Sequence, residues 1–319
     1  MKYDIISARR CASTFFIQNK VNTIVMIEEK KLNVFKIIKE IIFSILLMAV
    51  FSVVQFVATG SAIALSAIYA IVKAMGGDDY YLRHSIMSFA TGKDGMMLAT
   101  LLAGLATSIL FGMWWIIRSR NYGMAKLRFK RGIKTVVSKF YMIILITLAV
   151  YGAVEIVAMF ESLLLPDKVA EYNELAKKFV VDNVFINILS MSILAPIAEE
   201  SLFRGVILDH LKGCMNIYAA VLIQAILFGI MHGNIVQGLF VIPMAIAMGL
   251  VAIKAGSIVP TIVIHALFNG ISYALTFVPD SIAKSLSFST MLLIIPIMAL
   301  VLLYNLLPRD EYGQISLKL

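Results

Sequence analysis

The stretch Ala195-Pro196-Ile197-Ala198-Glu199-Glu200-Ser201-Leu202-Phe203-Arg204-Gly205 places three charged side chains inside an apolar segment that runs from about 184 to 209. A membrane crossing takes about 20 apolar residues, so this segment is long enough to span a bilayer. Its thirteen Val, Leu, Ile and Phe residues favour insertion by ~4 to 8 kcal/mol, whereas three charges at the centre cost ~8 to 10 kcal/mol. Neighbouring helices, water or protonation must therefore stabilise the charged groups, which predicts a bundle of membrane helices.

The composition of the whole chain agrees with this prediction. The sequence has 319 residues, of which 61% are hydrophobic and only 15% are charged, far from the average of a soluble globular protein. The fold class that we predict is all-α, a polytopic transmembrane bundle of about eight helices. Its apolar runs lie near 38–73, 96–117, 140–160, 184–209, 216–233, 235–253, 257–277 and 287–307.

Basic residues predict the orientation of this bundle. The loop 118–139 carries eight Lys and Arg residues and no acidic residue, so the positive-inside rule places it in the cytoplasm. Lysines at 30, 31, 36 and 39 place the N-terminus on the same side. We expect cytoplasmic tails at 1–35 and 308–319, and one membrane-embedded domain over 36–307 whose motif-bearing core is 184–277.

The segment 161–183 falls on the outer side in this topology. It contains five acidic residues, and its apolar residues follow helical spacing. This pattern predicts an amphipathic helix on the outer surface. A solvated connector is the alternative.

The net charge of +9 follows from this topology rather than from a nucleic-acid site, because the basic residues flank apolar runs and form no stripe on a soluble module. The expected partner is the lipid bilayer, with no nucleic acid. The two cysteines, Cys11 and Cys214, fit no metal or disulfide spacing.

The charged residues of the central segment have both a structural and a chemical interpretation. Glu200 and Arg204 are at positions i and i+4, so an internal ion pair can pin helix packing. Glu199 is turned by ~100 degrees from its neighbour and is left unexplained by that pair. His265 and Asn269 are again four residues apart on one helix, and His232 lies in another predicted helix.

Two further residues bear on the surroundings of Glu199. Pro196 lacks a backbone donor and is expected to leave the Ser192 carbonyl without its usual partner. Lipid tolerates such a group only beside protein or water, which favours a wet cavity near Glu199. Glu155, in the third predicted helix, can line that cavity or bond a neighbouring helix, and we favour packing.

Three motifs occur in order on successive predicted helices, Glu199-Glu200-x-x-x-Arg204, Phe228-x-x-x-His232 and His265-x-x-x-Asn269. Together they resemble the CPBP family, also called the Abi or CAAX-protease-like family. That family includes type II CAAX prenyl endopeptidases and bacterial proteins linked to bacteriocin processing or immunity. The resemblance covers roughly 180–275 and implies a glutamate-dependent intramembrane peptidase without a metal or other cofactor.

The resemblance also implies roles for the motif residues. Glu199 is similar to the general base that activates water, with His232 holding the same water, and His265 and Asn269 are similar to an oxyanion-stabilising pair. Glu200, Arg204 and Phe228 are expected to support them. Peptide hydrolysis does need a base and aimed donors, and a single donor accelerates such reactions ~100- to 1,000-fold.

Three alternatives remain open at this point. A zinc peptidase can be built from two carboxylates and two histidines without an HExxH motif. A non-catalytic immunity or scaffold protein keeps the polar cluster for packing, and a transporter uses Glu199 or Glu155 to carry protons. For the peptidase, we expect a bacterial plasma-membrane location and a membrane-associated substrate such as a peptide pheromone, a bacteriocin leader or a membrane-protein tail.

Overall fold

The computed structural model describes residues 34–72, 93–121, 125–179 and 183–285, except 66, 69–70, 280 and 283–284. Nine principal helices make up this part of the chain. They are α1 (Val34–Leu65), α2 (Lys93–Asn121), α3 (Ala125–Ser138), α4 (Phe140–Leu164), α5 (Pro166–Phe179), α6 (Val184–Leu211), α7 (Ile217–Met231), α8 (Ile235–Ala255) and α9 (Val259–Leu275).

These helices form a helical membrane bundle. Five of them contain segments that are long and apolar enough to cross a bilayer, namely α1, α2, α4, α6 and α8. Two more, α7 and α9, are apolar but have 15 and 17 residues, so at 1.5 Å per residue they are roughly 22 to 26 Å long. The predicted helix at 287–307 and nearly all of the two predicted tails lie outside the described residues.

The basic segment 118–139 was expected to be a loop, and this expectation was wrong. The end of α2 and the whole of α3 occupy it, because its apolar residues recur at helical spacing between the lysines and arginines. Helix α3 packs closely on the start of α9. An added Cβ at Gly132 would overlap the Ser257 hydroxyl and lie 2.7 Å from Val259 Cβ.

The predicted amphipathic helix in the segment 161–183 is confirmed as α5. It is packed on the bundle rather than extended as a solvated connector, because the Tyr172 ring contacts the Phe240 ring of α8 edge to face at 5.8 Å. Burial in this contact, and secondarily the nearby Glu161 carboxylate, raises the pKa of Tyr172.

Helix α6 lies at the centre of the bundle. Its residues 201–208 are all buried. A surface helix buries only one face, so eight consecutive buried positions mean that other helices enclose this part of α6 on every side. The charged residues of the opening stretch are therefore held in the interior of the protein rather than against lipid.

Candidate active site

The hydrogen-bond register of α6 changes twice around the site. A π-helical segment, Ile188–Leu194, precedes the α-helical turn Ala195–Leu202, and a second π-helical segment, Phe203–Ile207, follows it. π-Helical segments are rare and are frequent at functional sites. Here they set the direction of the turn that carries Glu199 and Glu200.

The carbonyl that Pro196 leaves free is not the one expected from an α-helical register. In the first π segment the Ala195 N–H donates to Ser190 O, five residues earlier. The next donor in that register would be residue 196, and its acceptor would be Met191 O rather than Ser192 O. The Asn269 side chain of α9 supplies the missing donor, with its Nδ2 2.7 Å from Met191 O.

Glu200 and Arg204 form the predicted ion pair. Arg204 Nη1 lies 2.8 Å from Glu200 Oε1, and neither side chain is exposed. Arg204 Nη2 also donates to Ala245 O of α8 at 3.2 Å, and its Cζ lies 4.7 Å from the centre of the Phe228 ring. The buried charge is thus balanced by a carboxylate, a carbonyl and an aromatic face.

His265 joins this pair from α9. Its Nδ1 is 2.9 Å from Glu200 Oε1, the oxygen that also accepts from Arg204. Because an ionised carboxylate can only accept, the proton of this bond is on Nδ1 of His265. The bond fixes the ring and directs Nε2 towards Glu199.

The two adjacent glutamates have different environments. The Glu199 side chain is 17% exposed, and its Oε2 lies 3.8 Å from His265 Nε2. Glu200 has no exposure and is held by Arg204 and His265. Glu199 is therefore the carboxylate that is open to a small molecule.

Phe228 and His232 approach the cluster from α7. The Phe228 ring is 4.8 Å from the His232 ring and 6.2 Å from the His265 ring, in edge-to-face contacts. His232 Nδ1 donates to Phe228 O at 2.8 Å, since a carbonyl is an acceptor. Its Nε2 is left as the acceptor of the neutral ring.

One residue of the site was missed by the sequence analysis. Gln224 is fully buried on α7 and donates from Nε2 to Ala245 O at 2.9 Å, beside the bond from Arg204. The sequence feature that could have identified Gln224 is a side-chain amide in an otherwise apolar helix. Glu155, by contrast, is partly buried and interacts with Tyr151 on its own helix.

Within the described ranges, no group of three or more His, Cys, Asp or Glu side chains is arranged to hold a metal ion. The candidate ligands Glu199 and His265 are 3.8 Å apart, between Oε2 and Nε2. The Nδ1 of that histidine is already bonded to Glu200.

The fold and the site define a multi-pass helical membrane protein with a buried glutamate, arginine and histidine cluster at the junction of α6, α7, α8 and α9. Residues 181–271 match the family described as Type II CAAX prenyl endopeptidase Rce1-like. The matched range contains all three motifs, and the resemblance to CAAX-type proteases is confirmed. The family that this part of the chain matches consists of endopeptidases, which are hydrolases that act on peptide bonds.

Comparisons with curated proteins and with solved structures gave no match.

Proposed function

We propose that the protein is an intramembrane endopeptidase that uses Glu199 to activate water and needs no metal. It hydrolyses a peptide bond near the terminus of a membrane-associated peptide or protein. The observation that carries this proposal is the contrast between the two glutamates, one enclosed and paired and the other partly exposed beside His265.

The general base must reach a water molecule and accept its proton. Glu200 is unsuited to this task because Arg204 and His265 both bind its Oε1 and the side chain is inaccessible. Glu199 meets the requirement because its side chain is partly exposed and can reach a water molecule. His232 supports it by offering Nε2 as a second acceptor that orients the same water.

The oxyanion that forms during hydrolysis needs hydrogen-bond donors aimed at it. An asparagine amide has two N–H donors, and Asn269 uses one of them on Met191 O, which leaves the other for the oxyanion. His265, held through Nδ1 by Glu200, donates from Nε2 when the ring is doubly protonated. Glu200, Arg204 and Phe228 are positioning residues in this scheme.

The substrate belongs to the membrane because the cluster lies within membrane helices. The candidates are a peptide pheromone, a bacteriocin leader or the tail of a membrane protein, cleaved in a bacterial plasma membrane.

The decisive experiment uses Glu199→Gln to trap the substrate. The amide keeps the shape of the side chain but cannot take a proton from water, so peptide should bind and remain uncut. The bound peptide is identified by mass spectrometry, synthesised and offered to the wild-type protein. Glu155→Gln is the matched control, since it neutralises a carboxylate that interacts with Tyr151 outside the cluster.

We expect the wild-type protein and Glu155→Gln to cleave the peptide, and Glu199→Gln to leave it intact. Cleavage by Glu199→Gln at the wild-type rate would reject the mechanism. Full biological function of Glu199→Ala, His232→Ala and His265→Ala would indicate a non-catalytic membrane protein instead. Loss of cleavage on chelation, its return with zinc and stoichiometric metal in the purified protein would assign a zinc peptidase.

A further inference from the structure

A polar cavity of about 150 Å³ lies at one end of the bundle. It is bounded by the last turns of α6, the junction between α8 and α9, helix α3 and the end of α2. Its polar lining consists of Arg131, Arg204, Asp209, Lys212 and Ser257, with Trp115 beside them. The peptidase scheme assigns no role to this cavity.

The charge of this lining is positive. Its cations are Arg131 of α3, Arg204 of α6 and Lys212, which follows the end of α6. Its one carboxylate, Asp209, lies 2.6 Å from Lys212. Arg204 forms the inner wall. Its Nη1 and Nη2 bind Glu200 and Ala245 O, but its Nε is buried without a hydrogen-bond partner in the part of the chain that the structure describes.

Such an unpaired donor on a buried cation is costly. Arg204 lines the cavity, so an anion bound there would lie beside this guanidinium. Arg204 is paired with Glu200 and Lys212 with Asp209, so Arg131 is the cation of the lining that has no ion pair among the described residues. A bound anion would compensate this charge.

Arg131 lines the cavity and passes close to the backbone at Gly256. Gly256 has φ +60, and a Cβ at this position would lie 3.0 Å from Arg131 Nη1. Glycine is needed for the left-handed conformation, and its missing side chain also makes room for the guanidinium. The α8–α9 junction thus brings this cation against the cavity.

The position of the cavity matches the headgroup layer of a membrane. Its lining comes from the ends of membrane helices: α6 ends at Leu211, α8 at Ala255, and α9 begins at Val259. Trp115 is close to the end of the apolar segment Ala99–Ile117, where tryptophan is enriched at membrane interfaces.

We propose that this cavity binds the phosphate group of an anionic phospholipid. Guanidinium groups match phosphate through paired N–H donors, and the volume suits one phosphate group rather than a nucleotide. The lipid tails would lie along the outer surfaces of the helices. This inference does not rest on the peptidase activity, and its test measures binding alone.

The test is a titration followed by Trp115 fluorescence. The sequence has two tryptophans, so Trp114→Phe leaves Trp115 as the sole reporter. Short-chain phosphatidylglycerol, short-chain phosphatidylcholine and inorganic phosphate are each added to the full-length protein in neutral detergent. The same titrations are made with Arg131→Gln and Lys212→Gln, and with Lys134→Gln, which removes an exposed charge from α3 that does not line the cavity.

We expect phosphatidylglycerol to bind more tightly than phosphatidylcholine. Arg131→Gln should weaken that binding roughly 10- to 100-fold, the usual effect of losing one charge-assisted hydrogen bond. Lys212→Gln should weaken it as well, whereas Lys134→Gln should not. Circular dichroism checks that each variant is folded. If either Arg131→Gln or Lys212→Gln fails to fold, the other variant still tests the site.

Two results would overturn the site. One is the absence of binding by any of the three ligands, and the other is an equal loss in Lys134→Gln, which would mean diffuse charge attraction. Binding of inorganic phosphate that is lost in Arg131→Gln, with no preference for phosphatidylglycerol, would overturn the lipid assignment and identify free phosphate as the occupant.

Discussion

Glu200 Oε1 accepts hydrogen bonds from two cations or potential cations, Arg204 Nη1 at 2.8 Å and His265 Nδ1 at 2.9 Å. A single buried oxygen therefore connects α6 to α9. Arg204 extends this network to α8, because its Nη2 donates to Ala245 O. Truncation of either acidic or basic partner leaves a buried charge without compensation, which is more damaging than the loss of one ordinary hydrogen bond.

Glu200→Gln should destabilise the protein by ~3 to 5 kcal/mol, because the Arg204 charge is then buried without its carboxylate. Glu199→Gln should change stability by less than about 1 kcal/mol, since this side chain is partly exposed and is bound less closely. Unfolding in mixed micelles, followed by circular dichroism, measures both. Equal destabilisation by the two variants would contradict the assignment of the structural role to Glu200.

Adding Arg204→Met to Glu200→Gln should recover most of the lost stability. The pair of charges is replaced by neutral groups, so no unpaired ion remains in the interior. Peptide cleavage should stay low because His265 has lost the carboxylate that orients it. The double-mutant cycle gives the coupling energy, and a coupling near zero would mean that the two residues act independently.

Asn269→Ala should destabilise the protein by ~1 to 3 kcal/mol, because Met191 O then loses its donor in a partly buried position. Pro196→Ala restores a backbone N–H in the register that points at this carbonyl. The combination of Pro196→Ala with Asn269→Ala should therefore be more stable than Asn269→Ala alone.

The same two variants distinguish a structural role of Asn269 from a catalytic one. Cleavage should not return in the double variant, since the backbone donor bonds Met191 O and cannot reach an oxyanion. Recovery of both stability and activity would mean that Asn269 has only a structural role.

Gly229→Ala should destabilise the bundle by at least ~1 to 3 kcal/mol, the usual cost of overpacking. Its Cβ would lie 2.5 Å from Gly238 O, a backbone atom of α8 that cannot rotate away. Gly112→Ala is the matched control because nothing lies within 4 Å of its added Cβ, and a helical glycine replaced by alanine gains roughly 0.5 to 1 kcal/mol. Thermal unfolding in detergent compares the two, and equal midpoints would show that α7 and α8 are not in tight contact there.

The parts of this structure that sequence predicted well are local along the chain. A continuous apolar run determines where a membrane helix lies, so α4, α6 and α8 begin and end close to their predicted limits. The Glu200 and Arg204 pair was also predictable, because residues four apart on a helix share a face. Helix α3 was not predicted, because the basic segment 118–139 was treated as a connection between membrane helices.

Distances between helices were not predictable in this way. Counting residues from the helix ends puts Glu199 near or beyond the membrane midplane and His265 nearer the cytoplasm, yet Glu199 Oε2 and His265 Nε2 lie 3.8 Å apart. Tilt and the π-helical segments of α6 change the height and rotation of each side chain. The hydropathy of a single helix predicts neither the height nor the rotation of its side chains.

The sequence by itself determined a helical membrane bundle and the residue types available for its chemistry, because hydrophobic length and helical spacing act over one element. The tertiary structure decided that His265 bonds Glu200 through Nδ1, and that Asn269 reaches Met191 across 78 residues of chain. These choices depend on how the helices rotate and pack against one another, since each contact joins groups that only the assembled bundle brings together.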